Sequence, residues 1–269
     1  MNFGLLRAAV YDSQMTKTTA DARREWRGAG VVITGGGSGV GTALAELFAA
    51  EGAKILLVGR DENKLRTVCD KIGGEFMAGD VGDSAFCERA LSEAESHFGR
   101  LDALMNNAGV IVRDTAADLC DEDWSRTIRT NLDGVFYMSR GALRRMQKQK
   151  HGAIVNVLST ASLVGVSGLS AYCASKGGAV QLTRSLALEC AADGVTVNAV
   201  CPGAIDSPML YSAHPDGTTV DQVRARNIAA IPHGRLATPL EVARAALFLA
   251  SEPHITGAML PVDGGYTAQ

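Results

Sequence analysis

The chain has no Cys-x-x-Cys pair and no Cys/His cluster at zinc spacing. This excludes the common zinc modules and a thioredoxin-like redox motif. Its six cysteines, at 69, 87, 120, 173, 190 and 201, are scattered and read as reduced thiols serving as small apolar residues. No long block of basic charge occurs either, since 26 Lys+Arg face 29 Asp+Glu for a net charge of −3. Nucleic acid or an anionic membrane would need such a block, so neither partner is expected. No apolar run approaches the roughly 20 residues of a membrane span. A signal-peptide core is missing too, because Arg7 interrupts Leu5-Leu6 and Ala8-Ala9-Val10. The expectation is a cytoplasmic protein without a metal site.

What is present is alternation. From Gly30 onward, short β-branched runs alternate with amphipathic helical segments, which predicts a parallel sheet with helices on both faces. No interior linker breaks it, so residues 28–269 read as one domain. Residues 1–27, polar from 12 onward and carrying Arg23, Arg24 and Arg27, read as a flexible extension, with Met15 as a candidate true start. Asp121 to Met146 is expected to be one long helix with Trp124, Ile128, Leu132, Val135, Phe136 and Met138 on its apolar side. Within it, Asn131 is a poor helix former and needs a solvent-facing position or a role. Residues 207–233 have no clean period, and a segment this long between regular elements is usually functional.

Val31-Val32-Ile33 runs into Thr34-Gly35-Gly36-Gly37-Ser38-Gly39-Val40-Gly41 and then a helix. Strand, glycine loop and helix form the context a phosphate cradle requires. Glycines let the backbone approach a pyrophosphate, and the helix N-terminus supplies free N–H groups. About 20 residues further on, the second strand ends at Gly59-Arg60-Asp61. An acid at this place would bind a ribose, whereas an Arg accommodates a 2′-phosphate. Arg60 favours NADP(H), with Asp61 assigned to capping the next helix; NAD(H) stays open because the loop itself holds no basic residue.

The apolar run 153–158 ends at Ser159, at the carboxyl end of a buried strand, where open α/β sheets bind ligands. Tyr172 and Lys176 are four apart, hence on one face of the following helix. Taken alone, this is a half-buried Tyr and a surface Lys. With the glycine loop and Asn106-Asn107-Ala108-Gly109 at the end of strand four, a hydroxyl, a phenol and an ammonium can converge beside a nucleotide.

These pieces, with Asp80-Val81, Asn131, Asn198, Pro202-Gly203 and the tail Asp263-Gly264-Gly265, occur in the order found in the short-chain dehydrogenase/reductase family, which residues 28–267 resemble. The resemblance implies a seven-stranded Rossmann-like domain that transfers hydride between NADP(H) or NAD(H) and a secondary alcohol or ketone. It implies a homotetramer or homodimer. Tyr172 would be the acid/base, with Ser159 holding the substrate oxygen. Lys176 would bind the nicotinamide ribose and lower the pKa of Tyr172, and Asn131 would anchor a water of a proton relay. Gly35, Gly37, Ser38, Gly39, Val40, Gly41, Arg60, Asp80, Val81, Asn107, Ala108, Gly109, Pro202, Gly203, Ile205 and Ser207 would contact the cofactor, along with Tyr172 and Lys176. The chain departs from the family pattern in placing Leu158 before Ser159, in placing Ser207 before Pro208, and in a stretch 250–257 about two residues shorter than usual.

Four readings of function stand at this point. They are an NADP(H)-dependent carbonyl reductase or alcohol dehydrogenase, an NAD-dependent dehydrogenase of a secondary alcohol, sugar or dihydrodiol, a 3-oxoacyl thioester reductase, and a nucleotide-sensing binding protein. Arg224 and Arg226 could meet an acidic carrier or form a solvated face. Met209, Leu210, Tyr211, Leu163 and Val164 could line a pocket or cap the core. His214, His233 and His254 lie in loop sequence and receive no catalytic role.

Overall fold

A computed structural model describes residues 23–212 and 217–269. The expectations for Met15, for the extension up to residue 22 and for His214 lie outside the described residues. Seven strands form one parallel sheet in the order β3-β2-β1-β4-β5-β6-β7. They are β1 (Gly30–Thr34), β2 (Lys54–Gly59), β3 (Glu75–Ala78), β4 (Ala103–Asn106), β5 (Gly152–Val157), β6 (Val195–Pro202) and β7 (Met259–Val262). Chain order reverses between β1 and β4, which are neighbours in register at Val32 and Leu104. Ligands bind at such a switch point, outside the carboxyl ends of the strands. The central strands β1, β4, β5 and β6 are buried throughout. Their unbroken apolar runs follow from cover on both faces.

Helices α1 (Gly39–Ala50), α2 (Glu62–Ile72) and α9 (Pro239–Ser251) form one cover, while α3 (Ser84–Phe98) and α6 (Ser170–Cys190) belong to the other. Asp61 caps α2 by accepting the Lys64 N–H, as expected from the sequence. The region 121–149 is not one helix. It consists of α4 (Asp121–Ile128), a π turn (Arg129–Asp133) and α5 (Gly134–Gln149). Asn131 lies in the π turn and is fully buried. Two residues expected on the apolar side, Trp124 and Phe136, are exposed instead. The segment 207–233 contains two helices, α7 (Pro208–Tyr211) and α8 (Val220–Ala229). Only Val223 of α8 is buried, which is why no apolar period marks it.

Residues 24–27 belong to the domain rather than to an extension. Trp26 is buried, packs edge-on against Phe48 at 4.9 Å, and donates its indole N–H to Ser251 Oγ at 3.0 Å. Arg24 is buried beside it and donates to Thr196 Oγ1 and to the carbonyl of Ala250. These bonds tie the first described residues to β6 and α9. All six cysteines are free thiols, four of them buried, and burial pushes Cys87 up to about 12. Among the described residues no group of His, Cys, Asp and Glu could hold a metal, and no helix is long and apolar enough to cross a membrane.

Candidate active site

The glycine loop is locked from the far side of the switch point. Thr34 Oγ1 accepts the N–H groups of Asn107 and Ala108, both at 3.0 Å. The Asn107 amide in turn donates to the carbonyls of Thr34 and Gly35 at 3.0 and 3.1 Å. Asn107 therefore shapes the loop, a role the sequence did not reveal. Behind it, Asn106 donates to Ser139 Oγ and to Asn156 Oδ1, and Asn156 donates to Thr183 Oγ1. This fully buried network fixes the ends of β4 and β5 against α5 and α6.

Gly35 and Gly39 have φ of +65° and +54°, a region that side chains resist. The hydroxyl of Ser38, at the N-cap of α1, makes no capping bond, which leaves the N–H groups of Gly39 and Val40 available to a ligand, while those of Gly41 and Thr42 donate to the Ser38 carbonyl. A Cβ added at Gly39 would meet nothing nearer than Ser207 Cβ at 3.7 Å. Open N–H groups facing free space suit a pyrophosphate.

A cavity of about 760 Å³ runs from this loop past the strand ends. Gly35, Ser38, Gly39, Val40, Asn107, Ala108, Gly109, Ser159, Tyr172, Lys176, Pro202, Gly203, Ile205 and Ser207 all line it. Gly37, Gly41, Arg60, Asp80, Val81 and Asn131 do not line it. Gly41 packs on the loop backbone, where an added Cβ would stand 2.1 Å from the Gly35 carbonyl oxygen. Asp80 accepts the Gly82 N–H at 2.8 Å, and Val81 is buried against Gly134. Arg60 is exposed at the tip of β2. Of the apolar candidates, Met209 and Leu210 line the cavity, while Leu163, Val164 and Tyr211 do not.

Tyr172 and Lys176 point inward from α6, and both are buried. Lys176 Nζ donates to the Val157 carbonyl at 2.9 Å and lies 5.8 Å from the centre of the Tyr172 ring. A Cβ at Gly109 would come within 3.6 Å of that ammonium. Burial pushes Lys176 down to about 8. Burial also raises Tyr172 above its ordinary range, opposed by a hydrogen bond from Ser159 and by the positive charge of Arg113. Desolvation outweighs both.

Asn131 accepts the Val110 N–H at 2.8 Å and donates to the Val110 carbonyl and to Ser175 Oγ at 2.9 and 3.2 Å. It clamps the backbone just past Gly109. The π turn aims it there, as π turns do at functional sites. Arg113, four residues after Gly109, lines the cavity and was missed, because no local pattern distinguishes it from a surface cation.

Comparison with known proteins agrees with this geometry. The family described as "Enoyl-(Acyl carrier protein) reductase" matches residues 35–267. The chain is 39% identical over 245 residues to 2-(S)-hydroxypropyl-CoM dehydrogenase 3 of Xanthobacter autotrophicus, covering 88% of this chain and 96% of that protein. It is 37% identical over 238 residues to the 3-oxoacyl-(acyl-carrier-protein) reductase of Escherichia coli, covering 87% and 95%. A crystal structure of levodione reductase superposes with a TM-score of 0.87 at 31% identity, covering 90% of this chain and 99% of that one.

Proposed function

Since the chain belongs to the short-chain dehydrogenase/reductase family, nicotinamide-dependent oxidoreductases of secondary alcohols and ketones, we propose that Tyr172, Ser159 and Lys176 carry that reaction here. The observation that carries the assignment is the single cavity joining the glycine loop, Gly109, Ser159, Tyr172, Lys176 and the 202–207 segment. A bound nicotinamide would supply or take up the hydride and, when oxidised, would bring positive charge to the site. Tyr172 takes the proton from the alcohol oxygen or returns it to the carbonyl oxygen. Ser159, which lines the same cavity as Tyr172, donates to the same oxygen as negative charge develops. Lys176 holds the ribose hydroxyls and keeps positive charge below the Tyr172 ring. Asn131 holds the Val110 backbone and so positions Gly109.

For the cofactor, NADP(H) is the favoured reading. Asp61, the acid nearest the tip of β2, is engaged by the Lys64 N–H and ammonium, both at 3.2 Å, while Arg60 stands exposed before it. The exposed Trp124 and Phe136 support a homo-oligomer, tetramer or dimer, and the balanced charge supports a cytoplasmic enzyme. A substrate panel of secondary alcohols, ketones and 3-oxoacyl thioesters, followed by absorbance of the reduced nicotinamide with both nucleotides, tests these readings. Turnover with NADPH should exceed that with NADH; equal or better turnover with NADH rejects the cofactor assignment. Tyr172→Phe should lower kcat by about 10²–10⁴-fold. Undiminished activity in that variant would reject the mechanism.

A further inference from the structure

Arg113 sits on the segment between β4 and α4, on the wall of the cavity that also holds Ser159 and Tyr172. Its Nε is buried without a hydrogen-bond partner. Arg24 Nε is orphaned in the same way, but the other nitrogens of that side chain are bonded, whereas Arg113 has no hydrogen bond or ion pair among the described residues. Arg24 donates to Thr196, Ala250 and Gly194, and Arg145 bonds Glu88, Glu95 and Ser92. A buried cationic N–H with nothing to donate to is costly, and protein interiors rarely leave one.

A second observation falls on the same wall. Arg226 of α8 lines the cavity and is close enough for its charge to act on Arg113. Arg224, two residues earlier on α8, is paired with Asp206 at 2.8 Å, so α8 commits one arginine to the protein and turns the other to the cavity. Of the acids on the wall, Asp114 accepts the Thr115 N–H at 2.8 Å and forms no ion pair with either arginine. Two guanidinium groups thus converge without a counter-charge among the described residues, next to the acid/base phenol.

We propose that Arg113, assisted by Arg226, binds an anionic group on the substrate and thereby orients the reacting carbonyl on Ser159 and Tyr172. The substrate class is then a keto acid or the corresponding hydroxy acid, or a phosphate-bearing ketone, since the guanidinium fork matches both oxyanions. The proposal rests on the oxidoreductase reading above and narrows it, because an uncharged ketone or an ester brings no negative charge to the two guanidinium groups.

The test measures kcat/KM for 2-, 3- and 4-oxo carboxylic acids of four to six carbons against their methyl esters, and for dihydroxyacetone phosphate against dihydroxyacetone. The wild type should prefer at least one charged member over its neutral partner by about tenfold or more. Arg113→Gln should cut that charged-to-neutral ratio about ten- to a hundredfold, with partial recovery in Arg113→Lys. Arg226→Gln, on an exposed helix, should cut the ratio by a smaller factor and carries the test if Arg113→Gln does not fold. The preference should also weaken with added salt. Carboxylate and phosphate are separated by which pair shows it. Neutral substrates equal to charged ones in the wild type would overturn the proposal. So would an Arg113→Gln that lowers both alike and moves the pH profile, since Arg113 would then serve Tyr172 and not the substrate. If the wild type turns over none of these but does turn over a member of the wider panel above, this proposal falls alone; if it turns over nothing in either set, the assignment of Tyr172, Ser159 and Lys176 falls with it.

Discussion

Replacing Lys176 with Met should stabilise the cofactor-free protein at neutral pH while removing its activity. The ammonium is buried, and its pKa falls from 10.5 to about 8. At about 1.4 kcal/mol per pH unit, that fall corresponds to about 3 kcal/mol. Below pH 8 the folded protein holds the buried charge and bears this penalty in full. Between 8 and 10.5 the unfolded chain binds the proton more often than the folded one, so stability rises with pH. Above 10.5 both states are neutral and the penalty is gone. The penalty is therefore about 3 kcal/mol at pH 7, about 2 at pH 9 and about 1 at pH 10. Met keeps the length of the stem but loses the hydrogen bond to the Val157 carbonyl, worth about 1 kcal/mol. The variant should thus be about 2 kcal/mol more stable at pH 7 and level with the wild type near pH 10. The assay is denaturant unfolding by circular dichroism at pH 7, 9 and 10, without nucleotide and at one protomer concentration. The readout is the difference between the two proteins, which cancels every other titrating group. A difference that stays constant from pH 7 to pH 10 would refute a depressed Lys176. A loss of stability at pH 7 would show that the ammonium holds the fold together. The expected pairing of stability gained with function lost is the usual trade at an active site.

Trp26→Ala should lower stability by about 3–5 kcal/mol, read as a falling melting temperature, because the indole is buried against Phe48. An unchanged melting temperature would return residues 24–27 to an extension. Gly41→Ala should weaken nucleotide binding by fluorescence titration and cost about 1–3 kcal/mol of stability, since the new Cβ would stand 2.1 Å from the Gly35 carbonyl oxygen. Gly37→Ala should cost less, as its nearest neighbour, the Cβ of Lys64, stands at 3.0 Å and need shift by only a few tenths of an ångström. Equal effects at the two positions would contradict this account.

The sheet was legible because strands covered on both faces read as unbroken apolar runs, as in Ile154 and Val155 of β5. The glycine loop, Ser159, Tyr172 and Lys176 were legible because their spacing along the chain survives folding. What escaped the sequence depends on distant contacts. The π turn at 129–133 is fixed by what Asn131 meets at Val110 and Ser175, not by local propensity. Trp124 and Phe136 keep helical spacing yet face outward, since periodicity gives a face but not its partner. Helix α8 buries only Val223, too little for a period. Arg24 and Trp26 sat in a polar stretch, and their acceptors lie 172 and 225 residues away. Arg113 is distinguished by an unpartnered buried Nε on the cavity wall, and both are properties of the fold.

The tie between Trp26 and Ser251 also sets an order of events during synthesis. The indole leaves the ribosome 225 residues before the serine that accepts its N–H. At about 5–20 residues per second, that is an interval of roughly 11–45 s. Through it, Phe48 is the aromatic neighbour that Trp26 can already reach, while α9 is not yet complete. The first described residues of the chain are thus among the last to lock. A nascent chain shortened before α9 would present Trp26 to chaperones and proteases rather than to its own core.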